Sequence, residues 1–351
     1  IMNPSSPAIY NIEYYNHNLR IRRGDFVLGS VDYKHVFENE SALSTSFLYE
    51  YTLLGGPTEN FNESWPDMNT RYQDERNSNN NPLYGTRFAL DYKSKSLPIR
   101  IIIETGYQFR HLDHTGDFQY VRRTGKTGPF QDVPQFSSFV NLDRKIHSLY
   151  SQLSGKQGKW IYGAGIRLES MERELLLDDK TGSVPEVLNY DFVKPFPSAN
   201  LQYEINESTK IRAAYSKRIQ RTTTFKMNPF PEREHSETLE QGDKNLLPEF
   251  VDVVELGIVK DFESNSIFAT AYFRNTKNLI NRVNTIYNDS ILNRIYSNVG
   301  TGKSLGLEVG TELEPTDWWK IYAGFNIYNY NVSGQFVFDP VFGGTEVISA
   351  N

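Results

Sequence analysis

An alternation of apolar and polar side chains with a period of two, repeated along nearly the whole chain, restricts the possible folds more than any other feature. A strand sends successive side chains to opposite faces, whereas a helix repeats about every 3.6 residues. The stretch from Ile99 to Arg110 is the clearest case. Ile99, Ile101, Ile103, Thr105, Tyr107 and Phe109 fall on one side, and Arg100, Ile102, Glu104, Gly106, Gln108 and Arg110 on the other. The split recurs from Tyr84 to Tyr92, where Tyr84, Thr86, Phe88, Leu90 and Tyr92 oppose Gly85, Arg87, Ala89 and Asp91. From Trp160, Tyr162, Ala164, Ile166 and Leu168 oppose Gly163, Gly165, Arg167 and Glu169. Leu305, Leu307, Val309 and Leu313 oppose Ser304, Gly306, Glu308, Gly310 and Glu312, and Trp319, Ile321, Ala323, Phe325 and Ile327 oppose Lys320, Tyr322, Gly324, Asn326 and Tyr328. The segment from Ile146 to Leu153 alternates poorly.

The connections alternate in length. Short polar turns are expected at Glu38-Asn39-Glu40, Lys93 to Leu97, Gly155 to Lys159, Asn206-Glu207-Ser208, Glu263-Ser264-Asn265 and Glu314 to Asp317. Between them lie long polar loops at about residues 55–81, 112–141, 173–195 and 221–249, with Asn77 to Asn81 read as a solvated tip. About twelve strands result, many of nine or more residues.

Soluble sandwiches use strands of about five or six residues. A strand that crosses a bilayer needs about 9–11 residues, and outer-membrane barrels add short turns on one side, long loops on the other and aromatic girdles at both interfaces. Tyr and Phe number 22 each, and aromatics gather near strand ends at Tyr33 and Phe37, Tyr49 and Tyr51, Tyr84 and Tyr92, Trp160 and Tyr162, and Trp318 and Trp319. The pattern therefore predicts an all-β, antiparallel transmembrane β-barrel, with a long-stranded secreted β protein as the alternative. A mean hydropathy of -0.55 fits a barrel, in which only alternate membrane residues need be apolar. The 37 Lys+Arg against 43 Asp+Glu provide no basic face for nucleic acid, and the zero cysteine count excludes disulfides and thiolate sites. No run of about 18 apolar residues marks a membrane-crossing helix.

Several phrases, in this order, resemble the outer-membrane β-barrel family of TonB-dependent receptors found in Bacteroidetes. They are Asp32-Tyr33-Lys34-His35-Val36-Phe37 with Leu43 to Tyr49; Phe196 to Tyr203 with Ile211 to Ile219; Asn228-Pro229-Phe230 with Gly242-Asp243-Lys244-Asn245-Leu246-Leu247-Pro248-Glu249; Ala271 to Ile280; and Ser304 to Glu308 with Trp318-Trp319-Lys320 and Asn331 to Gly334. The resemblance covers about Gly24 to Gly334. Thr222 stands where the family usually has proline after Arg221, and Asp243-Lys244-Asn245 replaces a tighter turn; both departures lie in one long loop. The resemblance implies a parent with about 22 strands, an N-terminal plug and a segment that engages the TonB complex. Residues 1–351 are then part of a single barrel domain, with the plug and the C-terminal strands not present. Ile1-Met2-Asn3-Pro4 starts neither a basic region nor an apolar core, which fits a cut point.

The implied function is capture of a scarce nutrient (a metal chelate, oligosaccharide or peptide) by extracellular loops and import through the plugged barrel, without bond-making chemistry. A structural or accessory barrel in a larger outer-membrane complex is the alternative. Expected partners are outer-membrane lipid and lipopolysaccharide, the TonB complex through the missing N-terminal part, and a surface lipoprotein or other complex subunits; no cofactor is expected. Tyr120, Phe130 and Phe136 are candidate loop aromatics that could stack on a ligand, or simply pack the loop. Arg218 and Arg221 could attract an anionic ligand or a lipopolysaccharide phosphate, or serve structure. Arg87, Arg212, Glu255, Glu308 and Glu312 are expected to face the lumen, lining a path or bonding to the plug. The run His111-Leu112-Asp113-His114-Thr115-Gly116-Asp117 has metal-ligand residue types but reads better as a polar loop just past a strand, so no metal site is assigned. Gly300-Thr301-Gly302-Lys303-Ser304 lacks the spacing of a phosphate loop and leads into a strand.

Overall fold

The structure, a computed structural model, describes residues 13–95, 101–183, 185–235, 238–287, 291–338 and 346–350. Long antiparallel strands dominate it. In chain order they begin with β1 (Tyr14–Arg20), β2 (Arg23–Val36), β3 (Ala42–Ser64), β4 (Arg71–Lys95), β5 (Ile101–Arg123), the two-residue β6 (Gln131–Asp132), β7 (Ser138–Gln157), β8 (Trp160–Asp178), β9 (Glu186–Glu204) and β10 (Thr209–Gln220). A single helical turn, α1 (Thr224–Met227), and the short strands β11 (Glu232–His235) and β12 (Thr238–Gln241) precede β13 (Glu249–Phe262) and β14 (Asn265–Lys277). There follow β15 (Ile280–Tyr287), β16 (Ile291–Asn298), β17 (Thr301–Thr316), β18 (Trp319–Phe338) and β19 (Glu346–Ala350).

One continuous sheet runs β3-β4-β5-β7-β8-β9-β10-β13-β14-β17-β18, with each strand antiparallel to the next. On its first edge β1 and β2 lie end to end along β3, with β1 against Thr58 to Ser64 and β2 against Ala42 to Gly55. From β3 to β18 the order of strands in the sheet is their order in the chain, so each connection there is a hairpin or a hairpin with an excursion. Tight turns close one end: Glu40, Gly158 and Glu263 all have positive φ there.

Following the register from strand to strand places the predicted oily residues together. Phe47, Phe88, Phe109, Leu149, Ile166 and Leu201 lie on one face; Leu256, Phe273, Leu305 and Ile327 continue it beyond β10. Apart from the partly covered Phe109, these side chains are exposed, at 60 % for Leu149 and 65 % for Ile327. So large an apolar band facing outward is unstable in water and is what a bilayer core covers. Its lower margin carries Trp160 against Tyr203 at 4.6 Å and the stacked pair Trp318 and Trp319. Above it the same face turns polar, with His111 and Asp113 on β5, Asp143 and Lys145 on β7, and Glu172 and Glu174 on β8. The chemistry of the outward face thus marks where lipid ends. Among the described residues no helix is long and apolar enough to cross a membrane.

The structure corrects the loop boundaries. Residues 55–81, 112–141 and 173–195 are mostly strand: β3, β4 and β5 run 23, 25 and 23 residues. At about 3.3 Å per residue, 25 residues span about 80 Å, far more than the hydrocarbon core, so the hairpins stand well clear of the membrane. Asn77 to Asn80 are no tip: they pair with Gly55 to Thr58 on β3 and with Asp117 to Tyr120 on β5. The run from His111 to Asp117 is likewise mid-strand, and pairing splits His111 and His114 between opposite faces. The cause is common to all three stretches. Above the lipid both faces are wet, so backbone pairing keeps the strand going without any apolar stripe to reveal it. Residues 99 and 100, assigned to the start of β5, and part of the turn predicted from Lys93 to Leu97 lie outside the described residues. The segment 221–249 is irregular, as expected.

The expected outcome of placing a charge in the apolar band is a strand-face asymmetry. Leu149→Arg should destabilise the folded protein in lipid by about 2–4 kcal/mol, whereas arginine at Ser154, on the opposite face of the same strand, should cost much less. Urea unfolding in bilayers would measure both.

Candidate functional site

The polar face of the wall carries the candidate site. Its upper part is covered by a cap made from two excursions, residues 221–249 and 278–300. Strands β12 and β16 pair in parallel, and with β11 and β15 they form a second, four-stranded sheet. Buried Glu240 accepts from Arg282 at 3.1 Å, and Asn293 donates to Gln241 at 2.7 Å, so polar bonds as well as the ladder join the excursions. Apolar clusters dock the cap on the wall. Met227, Phe230 and Leu246 pack on Val140 and Leu142 of β7 and Leu175 and Leu177 of β8. Leu239 packs on Phe118 and Tyr120 of β5, and Ile295 and Val299 reach Val332 of β18. Pairing of β9 with β10 stops at Ser198 and Ser216. Above that point Phe250 packs on Phe192 and Phe196, so the tops of β10 and β13 lean over the polar face of β9.

Between cap and wall lies a cavity of about 390 Å³, within the usual size range of small-molecule sites. Asn77, Asn79 and Asn81 project from alternate positions of β4, with Thr58, His114 and Gly116 beside them, Arg20 and Arg22 at the junction of β1 and β2, and Thr224, Phe225 and Asn228 from the cap. Amides and hydroxyls outnumber charges in this lining, and the half-exposed Phe225 ring gives it an aromatic wall. Two glycines shape the rim. Gly55 has φ +136°, and a Cβ there would meet Asn79 O at 2.0 Å; Gly56, at φ +121°, would meet Ile21 O at 2.2 Å. Any other residue would push the strands apart. The His114 Nδ1 and Thr224 Oγ1 atoms are 2.6 Å apart, tying β5 to the cap, and burial pulls the His114 pKa below its ordinary 6.5.

Below the cavity the same face holds a dense group of arginines. Register places Arg87 directly opposite Arg110, and Arg144 directly opposite Arg173. Glu169, 1 % exposed, sits among them. It accepts from Arg167 Nε at 3.3 Å and from Arg221. Arg167 also donates to Ser148 Oγ at 2.6 Å, Arg144 to Thr222 O at 3.1 Å and Arg173 to Leu246 O at 2.8 Å. The guanidinium layer therefore also anchors the cap. Burial, then Arg221 and Arg173 alongside, bring the Arg144 pKa down to about 10, and burial lowers that of Arg173.

The sequence-predicted residues divide. Arg87, Arg212, Glu255, Glu308 and Glu312 all fall on the polar face, on β4, β10, β13 and β17. Arg218 shares it and is exposed. Arg221 is engaged with Glu169 rather than free for a ligand. Tyr120 and Phe136, 1 % and 9 % exposed, pack edge to face at 5.4 Å in the core at the base of the cap, so neither offers a face to a solute. Phe130 lies beneath the guanidiniums of Arg76 and Arg123 at 4.5 and 4.7 Å. These three aromatics hold the hairpins together. The amide row and the guanidinium group escaped the sequence reading because each assembles from strands whose mutual register no single segment encodes; regular spacing of asparagine at 77, 79 and 81 was the available signal.

An apolar outward band, a polar opposite face, tight turns below and tall hairpins above define a transmembrane β-barrel wall. The chain belongs to the outer membrane protein β-barrel family, whose sequence profile matches residues 13–345, and it is a protein of the outer membrane. The probable TonB-dependent siderophore receptor PiuA of Acinetobacter baumannii is 28 % identical over 169 residues, 48 % of this chain and 21 % of that protein. The crystal structure of the siderophore receptor PiuA from Acinetobacter baumannii superposes with a TM-score of 0.61 at 14 % identity, covering 93 % of this chain and 49 % of that one. The ferric citrate transporter FecA gives 0.60 at 15 % identity, covering 89 % and 43 %, and the copper transporter OprC 0.61 at 13 %, covering 89 % and 48 %. The chain thus spans about half the length of these structures, and its fold is that of a TonB-dependent receptor barrel.

Two outcomes are expected. Glu169→Gln removes the carboxylate from Arg167 and Arg221 and should cost about 3 kcal/mol, the low end for breaking a buried pair because both arginines keep some water; thermal unfolding would measure it. His114 is harder to protonate folded than unfolded, so the unfolded state binds more protons as the pH drops below about 6.5. Its contribution to stability is present above that value and lost below it. Unfolding from pH 8 to 5 should show a slope that His114→Gln flattens.

Proposed function

We propose that this chain forms the ligand-capturing part of the wall of a TonB-dependent outer-membrane receptor, whose polar face lines the lumen. The cavity between cap and wall carries the reading. It lies above the lipid level, the polar part of its lining is mainly amide and hydroxyl, and an exposed aromatic ring closes one side. Such a lining hydrogen-bonds the polar periphery of a small solute, while the cap limits exchange with bulk water. The nutrient class is a metal chelate. The names of the similar proteins favour this, referring to siderophore, ferric citrate and copper. Among the described residues no group of three or more His, Asp or Glu could hold a bare ion, which fits a metal that arrives already wrapped. Arg87, Arg212, Glu255, Glu308 and Glu312 would then face a plug, and the TonB complex would supply the energy for its displacement.

The test is uptake of labelled ferric chelates by cells lacking the gene, compared with cells lacking TonB. The receptor reading expects both to lose the same uptake; unchanged uptake in the gene deletion would favour an accessory barrel. Gly116→Trp provides a local control. A Cβ at Gly116 would meet only Asn81 Oδ1 at 3.8 Å, Thr224 Cγ2 and Val140 O at 3.9 Å, so the indole would grow into the cavity. Ligand affinity should fall by about tenfold or more, equivalent to at least ~1.4 kcal/mol, with the barrel still assembled.

A further inference from the structure

We infer that His114 binds the metal of the captured chelate directly, its Nε2 atom filling a coordination position that the chelator leaves open. This rests on the cavity being the capture site, and it narrows the cargo to chelates with too few donors to saturate their metal. His114 stands on the polar face of β5, directly opposite Leu83 of β4 and Leu142 of β7, and its ring lines the cavity. Nδ1 is taken up by Thr224 Oγ1 at 2.6 Å. Nε2 forms no hydrogen bond among the described residues, and it is not one of the polar atoms sealed away without a partner, so it stays open to the cavity.

Several features suit that nitrogen to a metal. Of the lining side chains only His114 and Glu232 are common metal ligands, and the Glu232 carboxylate accepts from Asn228 Nδ2 at 2.8 Å. The ring is held as ligating histidines are held, with its other nitrogen against an oxygen. When Nδ1 keeps the proton and donates it to Thr224 Oγ1, the Nε2 lone pair is free to bind. Burial, aided by the charge of Arg144 and opposed by that of Asp113, disfavours the imidazolium, so the lone pair is present at neutral pH. Arg20, Arg22 and Glu232 are the other charged groups of the lining. A single imidazole is too few ligands for a bare ion. It can complete the coordination of an ion whose remaining positions a chelator fills.

The test uses the full-length protein, purified in detergent and titrated with copper(II) nitrilotriacetate, a tetradentate chelate with open positions, and with copper(II) EDTA, a hexadentate chelate without them. The nitrilotriacetate complex is expected to bind, and its electron paramagnetic resonance spectrum to gain the splitting of an added imidazole nitrogen. His114→Gln, whose amide can keep the bond to Thr224, removes that splitting and weakens binding by about tenfold or more, while binding of the EDTA complex, weaker from the start, does not change. Thr224→Val, which takes away the Nδ1 acceptor, weakens the nitrilotriacetate complex by about tenfold, and Thr224→Ser does not. If His114→Gln leaves nitrilotriacetate binding unchanged and Gly116→Trp abolishes it, the inference is wrong and the cavity still stands as the capture site. Equal loss of both complexes in His114→Gln also overturns it, because the ring then acts through shape or hydrogen bonding. Binding untouched by either His114→Gln or Gly116→Trp places the chelate outside the cavity and overturns the capture reading as well.

Discussion

In hydrocarbon there is no water to satisfy a peptide group, so each backbone N–H and C=O of a spanning segment must find its partner within the protein. An unbroken antiparallel ladder meets that demand here, from β3 to β18. Everything else in the molecule is arranged around it. Pairing fixes the register, and register fixes which side chains meet lipid and which meet one another. A slip of one residue in a single strand would carry Leu149 inward and Ser148 outward. The same pairing continues above the membrane, where it is no longer compelled by lipid, and there it builds the tall hairpins from residues with no apolar stripe.

What could be read in the sequence follows from that division. Within the lipid level the two faces differ sharply in chemistry, so Tyr84 to Tyr92, Trp160 to Leu168 and Trp319 to Ile327 reveal their strands and sidedness directly. The tight turns and the polar-face positions of Arg87, Arg212, Glu255, Glu308 and Glu312 follow from the same alternation. Above that level both faces are polar, and Asn77 to Asn81 resemble a loop although they are central to a strand. The cap could not be anticipated either. Its parallel pairing of Thr238 to Gln241 with Leu292 to Ile295 joins segments about fifty residues apart, and short polar strands of this kind have no periodicity to detect. Tyr120 and Phe136 were visible as unusual aromatics in a polar stretch; only their neighbours show that they pack Leu239 and Val133 instead of waiting for a ligand.

The polar face combines two kinds of surface that behave differently. Around the cavity, amides and hydroxyls are neutral, adaptable in donor and acceptor role, and inexpensive to desolvate relative to ions. Below it, guanidiniums fix charge in a half-buried layer, where each cation is stabilised only by what lies against it. Arg144 and Arg173 reach from this layer to carbonyls of the cap, at Thr222 and Leu246. The placement of the cap and the charge state of the wall are therefore one problem rather than two: a shift in either moves the other through those two bonds.

The strands are unequal in length. β4 has 25 residues and β14 has 13, a difference of about 40 Å of chain at about 3.3 Å per residue. On the side of β3 to β5 this length stands upright as hairpins, whereas on the side of β10 to β14 the connecting chain bends inward as the cap. A large body descending on such a rim would meet the hairpin crests before the cavity mouth, whereas a compact solute would not. The uneven rim is made from nothing more than where each pair of strands stops pairing.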